Sequence, residues 1–238
     1  MPTVFHEAAS RGHVKHGWLE SHHTFSFASY FNSERMHFGV LRVLNDDTIL
    51  PSMGFDTHPH DNMEIITVPL TGALKHKDTM GNEFIIQKGE VQVMSAGTGI
   101  AHSEFNASDK ENVSLLQIWI LPNAKGHEPR YDQKRFTEEG RKNQFQLIVS
   151  PDARNGSLKI NQNAFFSLLN ANKELQITYT PHDPDNHAYF FLISGELKMN
   201  ETLLKSRDGV GLTNLNQIDL HAVTQSELLI IEVPELTR

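Results

Sequence analysis

The chain has 238 residues, of which 38% are hydrophobic and 21% charged, the balance of a folded protein with one large or two small domains. Its net charge is −8, and its 21 basic residues form no dense run, which argues against direct binding to nucleic acid. The lack of cysteine excludes disulfides, thiolate metal ligands and a cysteine nucleophile. Since no apolar run reaches about 18 residues and no secretion signal is apparent, we expect a cytoplasmic protein with no membrane partner.

Short segments rich in Val, Ile and Phe recur along the chain, separated by Gly, Pro, Asn or Asp, which is the pattern of β-strands joined by turns. The pattern predicts strands, in chain order, at 38–43, 64–68, 83–86, 91–94, 113–121, 144–149, 175–179, 188–193 and 227–233. Many short strands at this spacing are typical of a β-sandwich or barrel. Helical periodicity is weak, and the one short helix that we expect lies near 130–140.

The segment 122–143 is the longest polar interruption of the strand pattern, and we interpret it as a solvated connection between two halves. The halves resemble one another: PLTGALK at 69–75 matches FLISGELK at 191–198. Each is an apolar strand that enters a glycine turn and leaves as a second strand. An internal duplication of this size predicts two similar β-barrels.

Histidine is abundant, with 14 residues, and two pairs of ligand-type residues stand out. Side chains at i and i+2 of a strand point the same way, so His58 and His60 project together, and Glu64 joins them if the strand continues. His102 and Glu104 form a second such pair after a glycine-rich turn. The first pair alone is equally consistent with a solvated strand end. If both pairs meet inside a barrel, three imidazoles and one carboxylate suit a divalent first-row metal, with either glutamate as the fourth ligand.

Longer motifs around these residues resemble a known family. HPH at 58–60 with Glu64 and Gly72 resembles the first cupin motif, and Gly89 through His102 to Asn106 resembles the second, with Ser95 where proline is usual. THPH, MSAGTGIAHSE and PRYDQKRF look like segments of the pirin family, as do RGHVKHGWLESHHTFSF and SPDARNGS. The resemblance covers nearly the whole chain. It implies an all-β bicupin of two tandem, jelly-roll-like cupin β-barrels, with a metal-binding barrel at 1–128 and a barrel without metal at 129–238.

The resemblance also implies which residues bind metal. Pirins take the glutamate two residues after the second-motif histidine, so the implied ligands are His58, His60, His102 and Glu104. Glu64 is then displaced to a position behind the ligands or to the pocket wall. The implied cofactor is one divalent transition metal, with Fe(II) expected and Ni, Mn, Co, Cu or Zn as alternatives.

The activity implied is that of quercetin 2,3-dioxygenase-like pirins: oxidative ring opening of a flavonol such as quercetin with dioxygen. Glu104 and Glu64 are the two candidate bases for the substrate hydroxyl, with Glu64 favoured because a metal-bound carboxylate is a weak base. The alternative is a metal-dependent regulatory or redox-sensing module that binds a protein partner without turnover. We expect a monomer, since the two barrels can bury each other.

Two further expectations concern neighbouring residues. Gln117 shares one face of a strand with Leu115 and Trp119, and we interpret it as a residue that can line the pocket. In the second half, aligning Gly195 with Gly72 places other residue types at the ligand positions, which predicts no second metal site. The residues so placed are Pro181, Asp183 and His187 for His58, His60 and Glu64, with His221 near the position of His102.

Overall fold

The protein is built from 22 strands and three short 3-10 turns, in a computed structural model that describes residues 3–236. The first half contains β1 (Thr3–His6), β2 (Gly12–His16), β3 (Leu19–His23), β4 (Leu41–Ile49), β5 (Gly54–His60), β6 (Glu64–Thr71), β7 (Ala73–Asp78), β8 (Glu83–Gln87), β9 (Glu90–Ser95), β10 (Ile100–Asn106) and β11 (Val113–Ile120). The second half contains β12 (Arg130–Arg135), β13 (Gln146–Ser150), β14 (Leu158–Lys159), β15 (Phe165–Ala171), β16 (Gln176–Tyr179), β17 (His187–Ser194), β18 (Glu196–Met199), β19 (Thr202–Lys205), β20 (Gly209–Leu212), β21 (Ile218–Ala222) and β22 (Ser226–Val233). No helix in the described range is long and apolar enough to span a bilayer.

The strands form two barrels, each built from one seven-stranded and one four-stranded sheet. The first barrel has the strand orders β12-β9-β6-β11-β4-β3-β2 and β5-β10-β7-β8. The second repeats this plan as β1-β20-β17-β22-β15-β13-β14 and β16-β21-β18-β19. The predicted all-β fold of two similar cupin barrels is confirmed, and every segment predicted as a strand overlaps a strand.

The two barrels exchange strands at the edges of their large sheets. β1, at the start of the chain, pairs with β20 of the second barrel, and β12, after the polar connection, pairs with β9 of the first. Strand pairing therefore crosses the predicted boundary between residues 128 and 129. Each exchanged strand covers an edge that would otherwise present unpaired backbone groups.

The large sheets pack face to face, and this packing forms the main apolar core. Along β11, Leu116 and Ile118 face the second barrel, where they belong to the same buried cluster as Leu229 and Ile231 of β22. The alternate residues of β11 point into the first barrel, as the two-residue period of a strand requires. The interior of the second barrel is a continuous apolar cluster, whereas that of the first holds only two small ones.

The helix expected near 130–140 is not formed. Residues Arg130–Arg135 are strand β12, and only Glu139–Arg141 makes a 3-10 turn. Here a free edge of the first sheet decides the local structure, since all six residues of β12 pair in register with β9. The polar composition that suggested a helix reflects an edge strand with one face in solvent.

Candidate metal centre

Three of the four implied ligands come together on two neighbouring antiparallel strands. His102 on β10 lies opposite His58 on β5, and Ile100 lies opposite His60. The ligand atoms of the three histidines all lie within 4.8 Å of one another. Gly54 permits this close pairing, because a Cβ there would lie 2.2 Å from the backbone oxygen of Glu104.

The histidine rings of this cluster have neutral nitrogens whose lone pairs can bind a metal. His58 Nδ1 donates to the backbone carbonyl of Asp56 at 2.8 Å, which leaves Nε2 as the lone-pair nitrogen of the neutral ring. Burial, together with the neighbouring histidines, lowers the pKa of His60 to about 4 and that of His102 to about 2. The rings of His60 and His102 are therefore suited to remain neutral near pH 7, the form that binds metal.

One buried atom in this cluster lacks a partner. His102 is 1% exposed, and its Nε2 makes no hydrogen bond to any residue that the structure describes. An orphaned buried nitrogen is costly unless something outside the protein satisfies it. A divalent first-row metal fits this position, since it takes imidazole and carboxylate ligands.

Glu104 adds a buried carboxylate on the far side of His102. A register shift between His102 and Glu104 places Glu104 opposite Phe55, and one of its oxygens lies within 4.8 Å of ligand atoms of His76 and His102. Gln117 Nε2 donates to both carboxylate oxygens, at 2.9 and 3.2 Å. Burial raises the pKa of Glu104 to about 7, against the effect of the Gln117 hydrogen bonds. Gln117 thus contacts Glu104, whereas the expectation that it lines the pocket stays a prediction, since it is not among the lining residues of the two clefts described below.

Glu64 lies elsewhere, and the reasoning that joined it to His58 and His60 was wrong. β5 ends at His60, and Asn62 (φ 46°) turns the chain before β6 begins at Glu64, so the alternation of faces does not carry through. The Glu64 carboxylate accepts hydrogen bonds from Ser95 Oγ at 2.8 Å and from the backbone N–H and Nδ2 of Asn161 at 3.2 and 3.1 Å. It is 1% exposed and ties the first half to the second, rather than forming a wall of the metal pocket.

The sequence reasoning also missed a pair of buried polar residues behind His102. His76 and Asp78 on β7 are paired with Glu104 and His102, and both side chains are fully buried. Tyr131 of β12 stacks on the His76 ring, with 4.6 Å between ring centroids. The only signal in the sequence is the alternation in LKHKD at 74–78, which places His76 and Asp78 on one face.

Two open clefts flank the histidine cluster. A cleft of about 540 Å³ lies beside His60 and is lined by Met63, Ile100 and Trp119, with Thr79 and Thr98. A cleft of about 420 Å³ lies on the side of His58 and includes Phe55. The Trp119 ring stands edge-on to His60, with 4.9 Å between centroids. The first cleft offers an aromatic and aliphatic wall next to His60, as a pocket for a planar aromatic molecule requires.

A third group of ligand-type residues lies on the surface of the β2–β3 hairpin. His13, Glu20 and His22 have ligand atoms within 4.8 Å of one another, but the rings of His13 and His22 are stacked at 4.5 Å with 6° between their planes. A metal binds in the plane of each imidazole, and two parallel stacked planes share no such point. In this arrangement the two rings cannot bind one ion together.

The second barrel has apolar residues where the first has the candidate ligands. Pairing across β16, β21 and β18 puts Tyr179, Ile218 and Leu220 at the positions of His58, His102 and Glu104. All three belong to the buried apolar cluster of that barrel. Within residues 3–236, the groups of three or more ligand-type residues lie in the first half, and the lack of a second metal site stays a prediction.

The strand pairing corrects the sequence alignment of the second barrel. Tyr179, rather than Pro181, takes the position of His58, and Ile218 rather than His221 takes that of His102. His221 is partly exposed and lies 3.3 Å from Glu174 instead. A constant offset from the glycine turn fails here because the connection between β16 and β17, residues 180–186, is longer than the one between β5 and β6, residues 61–63.

Comparison with known proteins agrees with this picture. The pirin family model matches residues 4–120, and the model of the quercetinase C-terminal cupin domain matches residues 147–233. A quercetin 2,3-dioxygenase of Escherichia coli is 42% identical over 228 residues, covering 96% of this chain and 97% of that protein. A pirin-like protein of Caulobacter vibrioides is 37% identical, covering 93% and 95%.

Solved structures show the same similarity. The bacterial pirin YhhW from Escherichia coli, in complex with nickel(II), superposes with a TM-score of 0.93 at 40% identity and covers 99% of this chain and 100% of that chain. A quercetin 2,3-dioxygenase from Acinetobacter baumannii, at 20% identity and a TM-score of 0.75, covers 99% of this chain and 78% of its own and shares the fold.

Proposed function

Because the chain belongs to the pirin family, we propose that it is a metal-dependent dioxygenase that opens the ring of flavonols such as quercetin with dioxygen. The observation that carries the proposal is the buried three-histidine cluster, with the orphaned His102 Nε2, beside the cleft lined by Trp119. In this reaction both oxygen atoms enter the ring-opened ester, and the carbon that bore the hydroxyl leaves as carbon monoxide.

In this proposal His58, His60, His102 and Glu104 hold one divalent metal, for which Fe(II) is our first candidate. Bound there, the metal supplies a Lewis acid that stabilises the oxyanion of the flavonol. The donor set of imidazole and carboxylate also suits nickel(II), which YhhW binds.

The protein's own residues bind and orient the substrate and accept its proton. The aromatic rings of the flavonol would lie against Trp119, Met63 and Ile100, and these side chains would exclude water from one side of the site. Glu104 accepts the proton of the substrate hydroxyl, and Gln117 Nε2 fixes the carboxylate that receives it. We assign the base to Glu104 rather than Glu64, because a Glu104 oxygen lies within 4.8 Å of a ligand atom of His102, whereas Glu64 is bonded to Ser95 and Asn161 and, within residues 3–236, belongs to no group with the histidines. Since a metal-bound carboxylate is a weak base, Glu104 would accept the proton on an oxygen that the metal does not bind.

The test is the loss of quercetin absorbance by metal-loaded protein under air, with carbon monoxide collected from the headspace. We expect bleaching that requires dioxygen and the metal and that His102→Ala abolishes. A surface substitution, His16→Gln, is the matched control and should leave turnover unchanged. If no turnover occurs with Fe, Mn, Ni, Co or Cu bound, the result contradicts the proposal and supports the alternative of a regulatory, protein-binding module.

A further inference from the structure

A row of three polar side chains, in which each lies close to the next, runs from the histidine cluster into the first barrel. His102 Nδ1 lies 3.5 Å from His76 Nδ1, and His76 Nε2 lies 3.2 Å from Asp78 Oδ2. The side chains of His76 and Asp78 have no exposed surface. The contacts follow from strand pairing, since β7 lies directly beside β10.

The row of three side chains, His102, His76 and Asp78, has only one consistent direction of hydrogen bonding. A carboxylate accepts and cannot donate, so His76 Nε2 carries the proton that it donates to Asp78. The Nδ1 of a neutral His76 is then an acceptor, and His102 Nδ1 must donate to it. This leaves the lone pair of His102 on Nε2, the buried nitrogen without a partner among the described residues.

From this polarity we infer that His76 and Asp78 are positioning residues, which fix the tautomer and the ring orientation of His102 so that its Nε2 is presented to the metal. The inference rests on the proposed ligand set. Hydrogen bonds of this kind to the second nitrogen of a metal-binding histidine also raise its strength as a donor.

The Asp78 end of this row of side chains is held in place by its own turn. Asp78 Oδ1 accepts from the backbone N–H groups of Met80 and Asn82 at 2.9 and 3.1 Å, and Oδ2 accepts from Asn82 Nδ2 at 2.8 Å. The Tyr131 ring, 4.6 Å from that of His76, restricts the imidazole from its other side. Since Asp78 is anchored by its own turn, its position does not depend on His102.

Metal affinity of the purified full chain, measured by chelator competition with Zn(II), tests the inference without reference to turnover. We expect His76→Leu, which cannot accept a hydrogen bond, to weaken binding about 10- to 100-fold. His76→Gln retains a carbonyl that can accept from His102 Nδ1 and should restore most of the affinity. Asp78→Asn keeps an oxygen for its turn but offers an amide donor to His76, and should weaken binding as His76→Leu does. Asp183→Asn, which changes a turn carboxylate of the second barrel, should have no effect.

The ring nitrogens of His102 provide a second readout. In the Zn(II)-loaded wild type, histidine-ring ¹⁵N NMR should show Nδ1 of His102 protonated and Nε2 bound to metal, with neither nitrogen of His76 bound. Metal coordination by His76, or Zn(II) affinity unchanged in both His76→Leu and Asp78→Asn, would overturn the inference. If His76→Leu does not fold, Asp78→Asn and the NMR assignment decide. Failure of the proposed ligand set looks different: His102→Ala would then bind Zn(II) as tightly as the wild type.

Discussion

Substitution of Glu64 distinguishes most clearly between a role in stability and a role in catalysis. Substitution by alanine removes the acceptor of hydrogen bonds from Ser95 and from two donors of Asn161. Hydrogen bonds to a charged group contribute about 1.5–3 kcal/mol each, but relief of carboxylate burial offsets part of their loss, so we expect a cost of about 2–4 kcal/mol. For a chain of this size, that cost lowers Tm by roughly 5–15 °C.

The assay pairs thermal unfolding of the metal-free protein with kcat/KM for quercetin of the metal-loaded protein at a temperature where each variant is folded. We expect Glu64→Ala to lose stability and keep kcat/KM within about threefold, a change of under 1 kcal/mol in activation free energy. Glu64→Gln is the matched control, because its oxygen can accept from Ser95 Oγ and the Asn161 N–H while its amide donates to Oδ1 of Asn161 once that side-chain amide turns over, and it should remain near the wild-type Tm. If Glu64→Ala kept the wild-type Tm but lost turnover, Glu64 would act in the chemistry and our reading of its contacts would be refuted.

Three other substitutions give distinct signatures. Burial raises the pKa of Asp47 from 3.8 to about 7 against the Ser21 hydrogen bond, so the stability it contributes is present below pH 3.8 and is lost as pH rises toward 7. Asp47→Asn should therefore gain about 2–4 kcal/mol over metal-free wild type at pH 8, and little near pH 4, in urea unfolding; equal gains at both pH values would contradict this. Gln117→Leu leaves Glu104 without its donor and should weaken Zn(II) binding about 10-fold; unchanged affinity in chelator competition would contradict that role. Trp119→Ala should raise KM for quercetin about 10-fold with metal content unchanged, from the lost aromatic contact, whereas an unchanged KM would place the substrate elsewhere.

Local patterns were sufficient for the strands and for the pair His58 and His60, whereas the bicupin fold and the place of His102 were implied by the family resemblance. Alternation of apolar residues and glycine turns marks strands wherever neighbours complete a sheet. The i, i+2 spacing of His58 and His60 puts them on one face without knowledge of the rest of the fold. Pairing between distant strands could not be predicted from the sequence. For example, β12 was expected as a helix because nothing in its local sequence shows that β9 has a free edge.

Glu64 and His76 show the same limit at the site itself. Glu64 seemed to share a face with His60 only while the strand was taken to continue through Asn62, whose positive φ ends it. His76 carries no motif, and its contact with His102 arises from the β7–β10 register. Side chains of equal parity can thus be grouped within one strand, whereas the groups that meet across strands are decided by register and bulges.

In our proposal, one metal held by the three histidines and Glu104 supports flavonol dioxygenation. Titration of the metal-free protein with Fe(II), and separately with Ni(II), tests this proposal when oxygen-dependent quercetin loss is followed against bound metal measured by elemental analysis. We expect turnover to rise in proportion to bound metal and to stop rising at one metal per chain, and we expect His102→Ala to show neither binding nor turnover. Full occupancy of the site by each of these metals without any oxygen-dependent loss of quercetin would contradict it.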